Sequence, residues 1–250
     1  WWLEKTKTSA PGGWAGFLYA ANLPPLPAPV PPSDWPQSKL FRGTGVAVSY
    51  GSSGKFYAQI RNGAPFDLFF SADIELPEKL VNAGLASPEV RPYALGRIVV
   101  WRPGSDALPL TLADLGRPEI RHIAIANPKH APYGMRAVEA LKAANVWNSV
   151  ESRLVHGENI AQTAQFVQTG NADAGIIALS LALAPGFAGK GSYTLIPDEL
   201  HQPLRQGFVI LKHGEGKALA AAFAAFFAGS DVRRILNRYG FSLPDNAATR

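Results

Sequence analysis

Three short stretches of the sequence combine hydroxyl groups or polar caps with the predicted starts of helices. The first, GSSGK, begins at Gly51, directly after the apolar run VAVSY. The second, NPKHAPYG, begins at Asn127, and the third, GENIAQ, begins at Gly157. The first turn of a helix presents unpaired backbone N–H groups and a partial positive charge. Each stretch could therefore bind an anion.

Other chemistries fit these stretches poorly. A phosphate-binding loop requires G-x-x-x-x-G-K-[ST], but Ser49 replaces the first glycine and Phe56 follows the lysine. A nucleophile elbow requires G-x-S-x-G, and Lys55 stands where the last glycine belongs. The histidines show no H-E-x-x-H spacing and cysteine is absent, so nothing indicates a metal site or thiol chemistry. A serine triad stays an open alternative that no spacing favours.

The donors that remain are uncharged hydroxyls and backbone amides. Such a site prefers a fully deprotonated anion, because a protonated oxyanion would need an acceptor that these donors cannot supply. Taken singly, each stretch is equally explained by the capping that every helix needs. Three such stretches in one chain favour a shared anion site.

The elements that must position these stretches alternate along the chain. From Phe41 onward, apolar strands alternate with amphipathic helices, which is typical of an α/β protein with parallel sheets covered on both faces. The number of units favours two lobes. We predict a first lobe from residues 1–97 plus 206–250 and a second from 98–205, with GRIVVW and RQGFVILK as crossover strands at a hinge. Residues 1–40 are dense in proline and are predicted to be irregular or aberrant.

Composition narrows the class of protein. A chain of 250 residues with 47% hydrophobic residues can bury a sizeable core. The net charge of +5 comes from scattered Lys and Arg, so no nucleic-acid partner is expected. No apolar run reaches the ~18 residues of a membrane span. The absence of cysteine gives weak support for export from the cytoplasm.

Read in order, five stretches resemble one family. They are SYGSSGKFYAQI, APFDLFFSAD, IAIANPKHAPYGMRAVEAL, GENIAQTAQFVQTGNADAGIIALS and NRYGF. Between about Gly43 and Leu243 the chain resembles the periplasmic molybdate-binding proteins of ABC importers. The resemblance implies two Rossmann-like lobes of the type II periplasmic-binding-protein kind, hinged to close on one tetrahedral oxyanion.

The resemblance also implies a function without catalysis or cofactor. The ligand would be molybdate, and tungstate as well, held as an oxyanion by hydrogen bonds rather than as a metal ion. The chain would be a periplasmic monomer that delivers its ligand to an ABC transporter permease in the inner membrane. Alternatives are a receptor for sulfate or another oxyanion on the same fold, a hydrolytic enzyme on a two-lobed scaffold, or the sensing domain of a regulator.

Residue by residue, the resemblance places the ligand donors. A serine of the GSSGK turn matches Ser53, with Ser52 beside it, and two helix starts supply backbone N–H groups at Tyr133 and Ile160. Some family members have a ligand tyrosine where this chain has Ala178. Other members compensate with an asparagine after the first strand, which would fall on Asn22.

Several other residues have simpler interpretations. Lys55 either adds a positive field near the anion or is a solvated residue of a first helical turn. Asp67 and Asp73 are expected to cap or to contact the hinge. The aromatic residues Phe66, Phe69 and Phe70 are expected in the core. Because alanine codons read in a shifted frame become proline codons, a frame error or a divergent start is our hypothesis for the first forty residues, and sequencing the gene upstream of Gly43 tests it.

Overall fold

The computed structural model describes residues 15–20 and 46–243. In that part of the chain the strands are β1 (Ala15–Ala20), β2 (Val46–Tyr50), β3 (Leu68–Ser71), β4 (Arg91–Gly96), β5 (Ile98–Pro103), β6 (Ile123–Ala126), β7 (Leu154–Gly157), β8 (Ala174–Ala178), β9 (Gly191–Leu195) and β10 (Leu204–Ile210). The helices are α1 (Ser53–Arg61), α2 (Glu75–Asn82), α3 (Pro132–Ala143), α4 (Trp147–Val150), α5 (Ile160–Gln168), α6 (Leu179–Ala182), α7 (Ala218–Phe227) and α8 (Ser230–Arg238). None of these helices is long and apolar enough to cross a membrane.

The strands form two five-stranded sheets, with the orders β2-β1-β3-β10-β4 and β7-β6-β8-β5-β9. The prediction of parallel sheets is confirmed for β1 with β2 and β3 and for β6 with β7 and β8, and it is wrong for the other strand pairs. β10 runs antiparallel to β3 and β4, and β5 runs antiparallel to β8 and β9. Apolar composition shows that both faces of a strand are covered, but it does not fix the direction of the strand.

Hydrophobic side chains cover both faces of the first sheet. Successive strand residues point to opposite faces, so Phe69 packs with Phe56 and Ile60 of α1 on one face, while Phe70 packs with Phe223 of α7 on the other. Phe66 lies edge-on to Phe56. The prediction that these phenylalanines belong to the core is confirmed for Phe69 and Phe70, while Phe66 is partly buried against it. A separate core cluster surrounds the second sheet.

The predicted α/β class with two lobes is confirmed by these two sheets and the helices packed on them. The boundaries 1–97 plus 206–250 and 98–205 stay a prediction. β1 lies within the stretch 1–40 that the sequence predicts to be irregular, and its six residues instead form a regular strand between β2 and β3. The rest of that stretch is outside the described residues.

Candidate functional site

The start of α1 lies at the end of β2. Ser52 is the residue before the helix and Ser53 is its first residue, and both side chains are buried. The Ser53 Oγ accepts a hydrogen bond of 3.0 Å from the backbone N–H of Ala72, which follows β3. A hydroxyl that accepts one hydrogen bond can also donate one. The Ser53 side chain is thus held in place by the residue that follows the neighbouring strand.

The start of α3 follows β6. Pro132 is the first residue of the helix and Tyr133 is the second. Proline is well suited to this position because its missing N–H would have had no acceptor within the helix. The N–H of Tyr133 likewise has no acceptor within the helix, because residue 129 precedes it. The position of Tyr133 in the first turn is observed, and its role as a backbone donor to an anion stays a prediction.

The start of α5 follows β7. Asn159 precedes the helix, and its Oδ1 accepts a 2.9 Å hydrogen bond from the N–H of Gln162, so its predicted role as a cap is confirmed. Ile160 is the first residue of α5 and is buried. Asn159 accepts from the N–H of Gln162 and not from that of Ile160. The N–H of Ile160 lies in the first turn of α5, where no carbonyl group of the helix can accept it.

The starts of α3 and α5 lie side by side at one edge of the second sheet. Ala126, the last residue of β6, pairs in register with Gly157, the last residue of β7. Beyond this pair, the N–H of Asn127 donates to the carbonyl oxygen of Gly157 at 2.8 Å. The carboxyl ends of neighbouring parallel strands are where open α/β sheets bind ligands.

The start of α1 contacts the loop that precedes α3. The N–H of Gly54 donates to the carbonyl oxygen of His130 at 2.9 Å. The Ser52 Oγ is 2.8 Å from the Nδ1 of the same histidine. Since His130 lies three residues before Tyr133, these contacts bring the serine turn of the first sheet to the helix start of the second.

An ion pair joins the same two sides of the site. The ammonium group of Lys55 contacts the Oε2 of Glu158, which lies two residues before Ile160. Their side chains are 51% and 53% exposed, so the pair lies at the rim. Neither interpretation of Lys55 from the sequence included an ion pair with Glu158. The three helix starts singled out in the sequence are therefore brought together by contacts at residues 52, 54 and 55.

The charges at this rim are balanced. Partial burial lowers the pKa of His130, the Lys55 ammonium lowers it further, and the Glu158 carboxylate opposes both effects. A hydrogen bond from Lys55 lowers the pKa of Glu158. His130 is then neutral near pH 7, since its usual value is already about 6.5. Glu158 is charged but paired, so the rim does not present an uncompensated carboxylate to an anion.

The contacts of His130 do not form a catalytic triad. A triad requires the acid to hydrogen-bond the second ring nitrogen of the histidine. The His130 Nε2 is 3.9 Å from Glu158, too far for a hydrogen bond, and the carboxylate of Glu158 is held by Lys55 instead. Across residues 15–20 and 46–243, no three His, Cys, Asp or Glu side chains cluster in a way that could hold a metal ion.

The remaining candidate residues lie elsewhere or outside the described chain. Ala178 is buried at the end of β8 and carries no donor, and Asn22 lies outside the described residues. Asp73 lies two residues before α2 and accepts a 3.0 Å hydrogen bond from the N–H of Glu75, the first residue of that helix. Asp67 is fully buried and pairs at 2.7 Å with both His213 and Lys217, within the first lobe.

Breaking the rim ion pair is expected to have a small effect. Glu158→Gln removes the charge while keeping the shape, and exposed pairs contribute about 0.2–1 kcal/mol. We expect the affinity for an oxyanion to change by less than about fivefold, because the lost contact between the two sides weakens binding while the freed Lys55 charge favours it, and the change should fade at high salt. Isothermal titration at two salt concentrations checks this. Glu75→Gln, which breaks an exposed pair inside α2, is the matched control. A loss far above fivefold would contradict a rim position.

The chain matches the family described as bacterial extracellular solute-binding protein over residues 39–242. It is 39% identical over 209 residues to the molybdate-binding protein ModA of Azotobacter vinelandii, covering 82% of this chain and 83% of that protein. It is 38% identical over 203 residues to ModA of Rhodobacter capsulatus, covering 80% and 78%. The solved structure of the Azotobacter vinelandii periplasmic molybdate-binding protein superposes with a TM-score of 0.75 at 35% identity, covering 82% of this chain and 91% of that one.

The chain therefore belongs to the bacterial extracellular solute-binding proteins. The resemblance to molybdate-binding proteins inferred from the ordered motifs is confirmed by these relatives, and so is the two-lobed fold. The relatives are named as binding proteins, and the chain is a solute receptor rather than an enzyme.

Proposed function

We propose that the chain captures molybdate, and tungstate as well, and delivers the anion to the permease of an ABC importer. The observation that carries this proposal is the meeting of three helix starts, those of α1, α3 and α5, through contacts between the two sheets. Helix starts supply N–H donors and a favourable potential for an anion. The names of the relatives supply the identity of the anion.

In this proposal the ligand is a naked dianion surrounded by uncharged donors. Ser53 donates through its hydroxyl, and Tyr133 and Ile160 donate through their backbone N–H groups. Ser52 flanks them and contacts His130 on the other lobe. Asn22 is proposed as a further donor in place of the hydroxyl that Ala178 lacks. Molybdate is here a ligand and not a cofactor, and it is held without a side chain bonded to the metal.

Selectivity would follow from the fixed spacing of these donors. Each donor is anchored by its own helix start, and Ser53 is anchored further by its bond to Ala72. Donors held at the spacing of a large tetrahedral anion cannot all reach a smaller one. Sulfate would then leave at least one donor without a partner, and an unpaired buried donor costs about 1–3 kcal/mol.

A melting experiment tests the proposed ligand. A ligand that binds only the folded protein stabilises it by RT ln(1 + [L]/Kd), about 2.7 kcal/mol at a hundredfold excess over Kd. For a chain of this size we expect the midpoint to rise by about 5–10 °C with molybdate or tungstate. Sulfate, phosphate and chloride at equal ionic strength are the controls. A larger shift with sulfate would make the chain a receptor for another oxyanion.

The place of the chain in transport is also part of the proposal. We infer that it acts as a periplasmic monomer whose lobes comprise residues 1–97 plus 206–250 and residues 98–205. The family's extracellular character supports this location. Uptake of labelled molybdate by cells that lack their own receptor, with and without this chain, tests delivery. If the chain binds molybdate but the uptake does not change, the chain captures the anion without delivering it, and the delivery part of the proposal fails.

A further inference from the structure

A buried chain of polar side chains connects the two sheets behind the proposed anion site. The hydroxyl of Tyr93, on β4, donates to the Gln206 Oε1 at 2.7 Å. The Gln206 Nε2, on β10, donates to the hydroxyl of Tyr133 at 2.9 Å. Tyr93 is 6% exposed, Gln206 0% and Tyr133 1%. The residue that supplies the proposed backbone donor of α3 is therefore held through its own side chain by a strand of the other sheet.

Gln206 lies at an irregularity of its strand. The register between β10 and β4 shifts between Gln206 and Gly207. Such a bulge re-aims the side chains around it. β4 leads into β5 of the second sheet through Arg97 alone, and β10 returns the chain from the second sheet to the first. The amide of Gln206 thus sits where the two lobes are joined.

The backbone at Gly96 leaves space for this connection. A Cβ atom at position 96 would lie 2.6 Å from the Gln206 Nε2 and 2.6 Å from the Tyr133 hydroxyl. Both distances are far below van der Waals contact, so only glycine permits the two side chains to meet here. The last residue of β4 is consequently shaped around the hydrogen bond between Gln206 and Tyr133.

The hydrogen bonds that link Tyr93, Gln206 and Tyr133 are directional, whereas apolar packing is not. Burial raises the pKa of Tyr133 and that of Tyr93 well above their usual range, so both phenols keep their protons. The Tyr93 hydroxyl, by donating to Oε1, fixes the amide so that Nε2 faces Tyr133. A buried polar group left without a partner is costly, so the three side chains favour a single arrangement.

We infer that Gln206 is a positioning residue that fixes the start of α3 relative to the first lobe through the hydroxyl of Tyr133. The consequence, which rests on the proposed function, is that the Tyr133 N–H is aimed at the anion when the lobes are closed. Gln206 itself does not touch the anion in this arrangement. Its effect is carried by the rigid connection between the tyrosine ring and the first turn of the helix.

Tyr133→Phe tests this inference, because it keeps the ring and the backbone N–H and removes only the hydroxyl. Tyr93→Phe is the matched comparison, since it removes the buried hydroxyl that orients the Gln206 amide but keeps the hydrogen bond from Gln206 to Tyr133 between the two sheets. Both variants are expected to lower the melting midpoint to a similar extent. Tyr133→Phe is expected to weaken molybdate binding about tenfold, chiefly by faster dissociation, and Tyr93→Phe is expected to weaken it less, because it keeps the hydrogen bond between Gln206 and Tyr133.

Hydrogen exchange in the ligand-free protein supplies a second readout. We expect the peptide spanning residues 127–141 to exchange faster in Tyr133→Phe than in Tyr93→Phe. Equal exchange in both variants, or wild-type affinity in Tyr133→Phe, would reduce the polar chain to a structural role and overturn the inference. If the wild-type protein does not bind molybdate but the exchange difference is present, the proposed function fails while the positioning role of Gln206 stands.

Discussion

Replacing Gly54 with alanine is expected to weaken molybdate binding by about 5- to 150-fold without destabilising the ligand-free protein. A Cβ atom at position 54 would lie 2.7 Å from the carbonyl oxygen of His130 and 3.0 Å from its Cα. Both are backbone atoms of the loop before α3, which cannot turn aside as a side chain can. Overpacking of this kind costs about 1–3 kcal/mol, and 1.4 kcal/mol is a factor of ten in affinity.

The added Cβ atom opposes closure of the two lobes, because the clashing elements belong to different sheets. If the lobes separate, the clash with His130 is gone, and replacing glycine by alanine where the backbone permits it stabilises a protein by about 0.4–1 kcal/mol. The ligand-free melting midpoint should therefore stay unchanged or rise. Isothermal titration and melting curves on the same samples measure both quantities.

Gly186→Ala is the matched control for this prediction. It makes the same chemical change where a Cβ would meet nothing within 4 Å. We expect wild-type affinity in this variant. Wild-type affinity in Gly54→Ala as well would mean that the two lobes do not close through the contact with His130.

Replacing Ser53 with alanine is expected to weaken molybdate binding by about 10- to 150-fold. A hydrogen bond to a charged group contributes about 1.5–3 kcal/mol. The same change leaves the N–H of Ala72 without the oxygen that it contacts at 3.0 Å, so stability should fall too. An unpaired buried donor costs about 1–3 kcal/mol, which is several degrees in the melting midpoint of a chain of this length.

Ser71→Ala separates the loss of a ligand donor from the loss of stability. Ser71 is also fully buried, and its Oγ donates to the carbonyl oxygen of Asp73 at 2.6 Å and accepts from the N–H of Asp73 at 3.1 Å. We expect this control to lower the melting midpoint while keeping the affinity within about twofold. Equal losses of affinity in both variants would assign the effect to the stability of the first lobe.

The sequence predicts most elements of the fold because their signals are local. Continuous apolar runs identify β2, β3, β6 and β8, Pro132 identifies the start of α3, and Asn159 identifies the start of α5. β4 has a weaker local signal, because it contains Pro92 and proline discourages a strand. The structure places β4 at the edge of its sheet, where proline is tolerated. The antiparallel directions of β5 and β10 depend on tertiary pairing, and composition carries no signal for it.

The contacts that bring the site together have no local signal. Ser52 and His130 are 78 residues apart, Lys55 and Glu158 are 103 apart, and Tyr93 and Gln206 are 113 apart. Each residue taken alone looks like an ordinary cap, a surface charge or a core aromatic residue. Only folding into two sheets shows that they are partners. The helix starts could be predicted, while the groups that align them could not.

A crystal structure of the protein with molybdate would locate the anion relative to the three helix starts. We expect one tetrahedral anion, located by the anomalous signal of molybdenum, with the Ser53 Oγ and the N–H groups of Tyr133 and Ile160 within about 3 Å of its oxygens. An anion bound away from these three donors, or a protein carboxylate filling the space between them, would contradict the proposed site.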